Sequence, residues 1–159
     1  MAKGTPATLA LEKAGVRFTV ATYEYDPDAD RIGLQAAEAM GVEPGIVLKT
    51  LMAEVDGRPV CVVVPSDREV SMKRLAAAFG GKSAQMMKPA DAERITGYRV
   101  GGISPFGQKR KFPTAIEATA LERTEVFMNG GQRGLQVRIA PADAAKALDA
   151  KVALLVADL

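Results

Sequence analysis

Residues 46–65 have the sequence IVLKTLMAEVDGRPVCVVVP and give the strongest structural signal in the chain. The apolar runs 46–55 and 60–65 are rich in β-branched residues, which favour strands. Asp56-Gly57 lies between them, and this dipeptide is typical of the tight turn of a two-stranded hairpin. The segment therefore predicts a β-hairpin whose first strand has apolar residues on both faces.

Short helices and further strands are predicted on both sides of this hairpin. One helix starts at the cap Thr5-Pro6 and stops at Gly15, as helices commonly do. The other predicted helices are 34–40, 72–79, 89–95 and 141–148, the further strands are 17–25, 114–118, 125–129 and 135–140, and 26–31 and 43–45 are a loop and a turn. This irregular order, without βαβ alternation, predicts an α/β fold with a mixed β-sheet flanked by short helices.

The composition indicates one domain over residues 1–159, because 48% apolar content in 159 residues can bury one substantial core. The 21 basic and 19 acidic residues leave a net charge of +2, so any contact with nucleic acid is expected to be local. One cysteine excludes an internal disulfide. No secretory signal or membrane-spanning run is recognisable, and a cytoplasmic location is expected.

Histidine is absent, which restricts the chemistry more than any other feature of the composition. Sites of the Ser-His-Asp and Cys-His types are excluded, and the common zinc sites are disfavoured because one cysteine and no histidine leave only carboxylate ligands. We therefore expect no metal and no cofactor. Chemistry must come from Lys, Ser, Thr, Tyr, Asp or Glu side chains, from backbone amides, or from the substrate.

Lys49 is an isolated charge within the first hairpin strand. By strand alternation it shares a face with Val47, Leu51 and Ala53, and the opposite face is apolar as well. A lysine in such a strand either lies at an edge and extends to solvent or points into a cavity that uses its charge. The strand pattern leaves both alternatives open.

Two glycine-rich loops, 101–107 and 129–134, could bring backbone amides close to a ligand, although ordinary turns would explain each loop alone. With Lys49 they resemble the walls of one pocket. The basic runs 109–111 and 73–74 fit a solvated surface or a few phosphate contacts. Cys61 lies in an apolar run and is expected to be a buried, inert thiol.

Several motifs in the same order resemble the YbaK (EbsC) family of bacterial Cys-tRNA(Pro) deacylases over nearly the whole chain. They are Thr5-Pro6-Ala7, Thr22-Tyr23-Glu24, Leu48-Lys49-Thr50-Leu51, Thr96-Gly97-Tyr98, Val100-Gly101-Gly102-Ile103-Ser104-Pro105, Gly107-Gln108-Lys109, Gly130-Gly131 and Arg133-Gly134-Leu135. The resemblance implies a YbaK-like, barrel-like α/β domain related to the editing domain of prolyl-tRNA synthetase.

The resemblance also implies an activity and a site. Such a deacylase would clear cysteine from Cys-tRNA(Pro), with Cys-tRNA(Cys) as a further substrate, by attack of the substrate thiol on its own ester, and prolyl-tRNA synthetase would be a partner. Lys49 matches the family's functional lysine and would hold the terminal phosphate or the ester end. The implied substrate-binding residues are Tyr23, Ile32, Gly33, Thr50, Gly101, Gly102, Ile103, Ser104, Pro105, Asn129, Gly130, Gly131 and Arg133.

Three positions depart from the family pattern. Asn129 and Gln136 replace an expected serine and aspartate, and Ile32 replaces an aromatic residue. A missing carboxylate would predict less sharp selection of the amino acid. Two alternative functions stay open: a deacylase for another small aminoacyl-tRNA(Pro) such as Ala-tRNA(Pro), or a noncatalytic module that binds tRNA or nucleotides.

Overall fold

The computed structural model describes residues 4–28 and 32–157, with only the backbone described for residues 32 and 33. The helices in this part of the chain are α1 (Pro6–Lys13), α2 (Ile32–Met40), α3 (Met72–Ala78), α4 (Pro89–Thr96) and α5 (Pro141–Leu148). The strands are β1 (Phe18–Thr22), β2 (Leu48–Val55), β3 (Arg58–Pro65), β4 (Ala84–Met86), β5 (Thr114–Glu117), β6 (Val126–Gln132), β7 (Leu135–Ile139) and β8 (Lys151–Ala153). Short 3-10 turns lie at Pro44–Ile46 and Ala118–Glu122.

The strands form two sheets where the sequence predicted one. The larger has the order β4-β2-β3-β5-β8, with antiparallel β4, β2 and β3 and parallel pairs from β3 to β5 and from β5 to β8. The smaller is the antiparallel sheet β1-β7-β6. An isolated parallel bridge between Val47 and Phe127 connects them. The α/β class and the mixed strand directions are confirmed.

The central strands β3 and β5 of the larger sheet are buried on both faces, whereas the edge strands β4 and β8 are partly exposed. Cys61 and Val63 of β3 join a core that includes residues of both sheets, α1 and α5. Val62 and Val64 join a second core, which α3 covers through Leu75. Alternate residues of one strand therefore serve two cores, and β2 and β3 are fixed between them.

The hairpin and the helix starts match the local signals. Asp56-Gly57 is the turn between β2 and β3, and both residues have positive φ. Thr5 caps α1 through its side chain, which accepts from the Thr8 N–H at 3.1 Å. Proline stands in the first turn of α1, α4 and α5, where its missing N–H costs nothing.

Several predicted boundaries are wrong. The strand predicted over 17–25 pairs with β7 only from Phe18 to Thr22, and the strand predicted from Ile46 begins at Leu48 because a 3-10 turn precedes it. Strands β4 and β8 were not predicted, since three residues carry too little pattern without their partners. The predicted loop 26–31 lies partly outside the described residues. None of the described helices is long and apolar enough to cross a membrane.

Candidate active site

A cavity of about 370 Å³ opens beside the first half of β2, where β4 does not pair with it. β4 pairs with β2 only from Ala53 to Val55, so the Lys49 end of the strand has β3 on one side and the cavity on the other. The cavity is lined by Val47, Leu48, Lys49, Thr50, Leu51, Met52, Ser66, Met86, Met87, Pro89, Ala92, Val100, Gly101, Ile103, Asn129 and Gln136. Most of these side chains are apolar.

Lys49 lies at this cavity, and its side chain is 21% exposed. Its Nζ is 3.8 Å from Oε1 of Glu69, a solvent-exposed carboxylate. Both alternatives for a strand lysine therefore apply in part. At this position β2 pairs with β3 but not with β4 on its other side, and the charge lies where a ligand in the cavity can reach it.

Among the described lining residues, Lys49 is the only titratable side chain. The hydroxyl of Ser66 also lines the cavity, but it donates to the Val47 carbonyl at 2.5 Å and is buried. Apart from Lys49 itself, no described lining side chain is titratable and able to act as a general base. The arrangement can bind and orient a reactive ligand and place a positive charge beside it.

Three buried polar atoms, two on cavity-lining residues and one on Tyr23, which does not line the cavity, lack a hydrogen-bond partner of good geometry among the described residues. They are Oγ1 of Thr50, Oε1 of Gln136 and the hydroxyl of Tyr23. Burial raises the pKa of Tyr23, and hydrogen bonding to the Gly134 backbone and the Gln136 side chain offsets part of this rise. Buried polar atoms are usually paired, so atoms left unpaired at a cavity are suited to hydrogen bonds with a ligand.

Asn129 joins the two glycine loops into one wall. Its Nδ2 donates to the Gly101 carbonyl at 3.0 Å, and its Oδ1 accepts from the Gly131 N–H at 2.7 Å. We call Gly101, Gly102, Gly130 and Gly131, as held by Asn129, the glycine wall. It separates the cavity, which Gly101 lines, from a second concave surface lined by Gly102 and Gly131.

Two positions of the wall require glycine. Gly101 has φ +88°, and a Cβ there would lie 2.8 Å from the Tyr25 hydroxyl. Gly131 has φ +93°, and a Cβ there would lie 2.9 Å from the Tyr98 ring. That ring is fixed because the Tyr98 hydroxyl donates to the Phe106 carbonyl at 2.6 Å. Burial also raises the pKa of Tyr98 to about 12.

The structure brings some of the predicted site residues together and separates others. Lys49, Thr50, Gly101, Ile103 and Asn129 line the cavity. Ile32 and Gly33 begin α2, and only their backbone belongs to the described part of the chain.

Of the other predicted residues, Tyr23 lies beside Gln136 without lining the cavity, and the rest form the glycine wall or lie beyond it. Gly102, Gly131 and Arg133 line the second surface, and Gly130 accepts a hydrogen bond from Thr5 Oγ1. Ser104 is fully buried and accepts from the Phe106 N–H, and Pro105 lines a separate cavity near α1. These residues support the wall or face away from the cavity.

Sequence reasoning missed Ser66 and the apolar end of the cavity, formed by Met52, Met86 and Met87. Gln136 was noted only as a departure from the family pattern. The hairpin from β6 to β7 pairs it with Asn129, so the two amide side chains lie on one face. The register of that hairpin is the signal that could have identified Gln136.

Two expectations about individual groups can be compared with the structure. Cys61 is fully buried, and burial raises its pKa to about 12, so the predicted inert thiol is confirmed. Across the described residues, no group of three or more Cys, Asp or Glu side chains could hold a metal ion.

The cavity offers a small ligand neutral hydrogen-bonding groups and, among the described lining residues, one positive charge. A family model described as the aminoacyl-tRNA editing domain matches residues 26–147. The chain belongs to this family.

Relatives and a solved structure agree with this assignment. A protein of Enterococcus faecalis, provisionally named the Cys-tRNA(Pro)/Cys-tRNA(Cys) deacylase EbsC, is 36% identical over 75% of this chain and 74% of its own length. The multifunctional Ser/Thr-tRNA deacylase ProXp-y of Escherichia coli is 27% identical over 84% of this chain and 80% of its own. A crystal structure described provisionally as a trans-editing enzyme for prolyl tRNA synthetase superposes with a TM-score of 0.82 at 23% identity, covering 99% of this chain and all of that one.

Proline–tRNA ligases of several bacteria also match, over 12% to 21% of their length. The predicted YbaK-type family, the relation to prolyl-tRNA synthetases and the aminoacyl-tRNA deacylase class are confirmed. The noncatalytic alternative is not supported.

Proposed function

We propose that this chain removes cysteine from Cys-tRNA(Pro) in trans and that the substrate thiol is the nucleophile. The observation that carries the proposal is the lining of the cavity, where Lys49 is the only titratable group among the described residues. A site of this kind suits a substrate that supplies its own nucleophile, and cysteine is a small amino acid whose thiol can do so.

The reaction is an exchange of one acyl bond for another. The cysteinyl sulfur forms a bond to the ester carbonyl carbon, the bond from that carbon to the ribose oxygen breaks, and the thiol proton ends on the ribose hydroxyl. The products are tRNA and a thiolactone, which water then hydrolyses to cysteine. The protein contributes orientation and charge, which accelerate intramolecular reactions strongly.

Each part of the cavity has a role in this proposal. The ammonium group of Lys49 stabilises the negative charge that develops on the carbonyl oxygen, or holds the terminal phosphate. Gln136 Oε1 and Thr50 Oγ1, which lack partners among the described residues, bind the amino group of the substrate. Met52, Met86 and Met87 enclose the side chain in an apolar surface that suits sulfur.

The test compares three substrates: Cys-tRNA(Pro), Ser-tRNA(Pro) and 2-aminobutyryl-tRNA(Pro), which carries a methyl group in place of the thiol. We expect fast release of cysteine only, and a fall of roughly 10²-fold or more in kcat/KM for Lys49→Ala, as for the loss of one oxyanion donor. Lys146→Gln, which removes an exposed positive charge from α5 outside the cavity lining, is the control and should leave kcat/KM unchanged. Equal release of cysteine and 2-aminobutyrate would exclude attack by the thiol.

Hydrolysis of Ser-tRNA and Thr-tRNA is a second candidate. It is favoured by the unpaired Oε1 of Gln136 and Oγ1 of Thr50, because a substrate hydroxyl could bind to either atom. A relative is named for that activity. Release of serine at a rate close to that of cysteine would select this candidate, and release from Ala-tRNA(Pro) would select a general deacylase of small residues.

Prolyl-tRNA synthetase is the proposed partner in selecting the tRNA. A chain of 159 residues with net charge +2 has little surface with which to read tRNA identity. Part of the chain is similar to proline–tRNA ligases. We expect discrimination between Cys-tRNA(Pro) and Cys-tRNA(Cys) to rise when the synthetase is added, and unchanged discrimination would exclude the partner.

A further inference from the structure

The second concave surface, behind the glycine wall, has a different chemistry from the cavity. Its volume is about 320 Å³, and Arg99, Gly102, Gly131 and Arg133 contribute to its lining; we call it the basic groove. Arg99 and Arg133 are both solvent-exposed residues. Lys109 flanks the groove, since a Cβ added at its lining residue Gly97 would lie 3.4 Å from Lys109 Cβ.

The charges at the groove have no carboxylate partners among residues 4–28 and 32–157, whereas Lys49, Arg94, Arg123 and Arg138 each have one. In a chain with almost balanced charges, three exposed cations around one concave surface form a local field that attracts anions. The groove is therefore suited to a phosphate-bearing ligand.

Arg133 connects the groove to the rim of the cavity. Its Nε donates to the Val100 carbonyl at 2.9 Å, and its guanidinium carbon lies 5.2 Å from the centre of the Tyr25 ring. Val100 itself lines the cavity. The guanidinium is thus held at the edge of the glycine wall, where a chain leaving the cavity would cross to the groove.

We propose that the basic groove binds phosphodiester groups of the tRNA 3′ strand that precede the terminal nucleotide. The inference rests on the proposed function, which places the aminoacylated end in the cavity. Arg99, Arg133 and Lys109 bind the phosphates by charge, while the cavity binds the amino acid. Gly131 and Arg133, both predicted from the sequence to bind the substrate, then serve its nucleic-acid part.

The experiment compares Cys-tRNA(Pro) with adenosine 5′-monophosphate that carries cysteine as an ester on its ribose, which keeps the terminal nucleotide and lacks the rest of the tRNA. For Arg99→Gln and for Lys109→Gln we expect kcat/KM on the tRNA to fall roughly 3- to 10-fold. The slope of log kcat/KM on the tRNA against log salt concentration should become less steep by about 0.7 for each lost phosphate contact. Activity on the small ester should be unchanged.

Two variants serve as controls. Arg99→Lys keeps the charge and should retain most of the activity on tRNA. Such retention would show that the loss in Arg99→Gln comes from the missing charge and not from a disturbed structure. Lys146→Gln removes an exposed positive charge from α5, which lines neither the cavity nor the groove. It should leave kcat/KM unchanged on both substrates. Equal loss on both substrates for Arg99→Gln, or no loss on either, would overturn the proposal.

Failure of the proposed function would be seen separately, as no cleavage of either ester by the unmodified protein. In that case the groove is tested by binding of uncharged tRNA at several salt concentrations. Weaker binding and a smaller salt slope for Arg99→Gln would support the phosphate site on its own, and binding equal to that of the unmodified protein would overturn it.

Discussion

The cavity and the basic groove share the glycine wall but leave different groups available to a ligand. On the cavity side the unpaired groups are neutral and buried, among them Gln136, which is 4% exposed. On the groove side the available groups are exposed cations that have no carboxylate partner among the described residues. Buried neutral groups select a small ligand by shape and hydrogen bonding, whereas exposed cations attract any polyanion. One wall can therefore separate selection of the amino acid from capture of the nucleic acid.

The largest effect is expected from a change that breaks the wall. Gly131→Ala places a Cβ 2.9 Å from the fixed Tyr98 ring at a backbone φ of +93°. Strain and overpacking together should lower the free energy of unfolding by about 2 to 5 kcal/mol. Activity on tRNA and on the small ester should fall together. Urea unfolding and both assays measure this.

Gly41→Ala is the matched control, since Gly41 also has positive φ, +70°, but a Cβ there meets no atom within 4 Å. Only the conformational cost of roughly 1 kcal/mol should remain. If both glycine variants lose the same stability, the close packing of the wall against Tyr98 contributes nothing.

A smaller change loosens the wall without breaking it. Asn129→Ala removes both side-chain hydrogen bonds that join the loops and leaves the Gly101 carbonyl and the Gly131 N–H without their partner. We expect a loss of about 2 to 3 kcal/mol in unfolding free energy and a fall in kcat/KM that exceeds the loss of folded protein. Lys146→Ala, at an exposed position of α5 that lines neither the cavity nor the groove, should change neither quantity.

Glu117 provides a reference away from both sides of the wall. Its carboxylate is buried; burial alone would raise its pKa, but the N–H groups of Leu155, Thr119 and Val156 hold the pKa below the usual value of 4.5. The charged form thus stabilises the fold above about pH 4.5, and this contribution is lost as the pH falls through the lower pKa of the folded state.

Glu117→Gln should therefore cost about 1 to 2 kcal/mol at pH 7, with the difference from the unmodified protein shrinking below pH 4.5. Unfolding in urea across this pH range measures both values. Because Glu117 touches neither side of the wall, kcat/KM of the folded variant should be normal. A specific loss on one substrate would contradict the division between cavity and groove.

The smallest effect on stability is expected inside the cavity. Gln136→Leu removes a buried amide whose Oε1 lacks a partner of good geometry among the described residues, so the unfolding free energy should change by less than about 1 kcal/mol. Deacylation should nevertheless fall roughly 10-fold on tRNA and small ester alike. Unchanged kcat/KM would show that Gln136 does not bind the substrate.

Local signals predicted the elements that depend on neighbouring residues. The hairpin from β2 to β3 follows from Asp56-Gly57 and two apolar runs, and α5 occupies the predicted residues. β4 and β8 could not be found in this way, because each is three residues long and owes its conformation to a strand distant in sequence.

The candidate site shows the same division. The sequence placed Lys49, Gly101 and Asn129 in one pocket, as the structure does. It could not place Gly131 and Arg133, because the pairing of β6 with β7 shifts register between Asn129 and Gln132. Such a bulge changes which face of the sheet the following residues occupy, and it depends on a pairing that single-strand alternation does not describe.

The hydrogen bond of 2.5 Å from Thr5 Oγ1 to the Gly130 carbonyl joins residues 125 positions apart. A ribosome that adds 5 to 20 residues per second needs roughly 6 to 25 s between these two residues. Contacts of such separation carry the cost of closing a long loop and tend to form late in folding. The nascent protein therefore cannot edit tRNA until most of its length has been translated, even though Lys49 and its hairpin are made early.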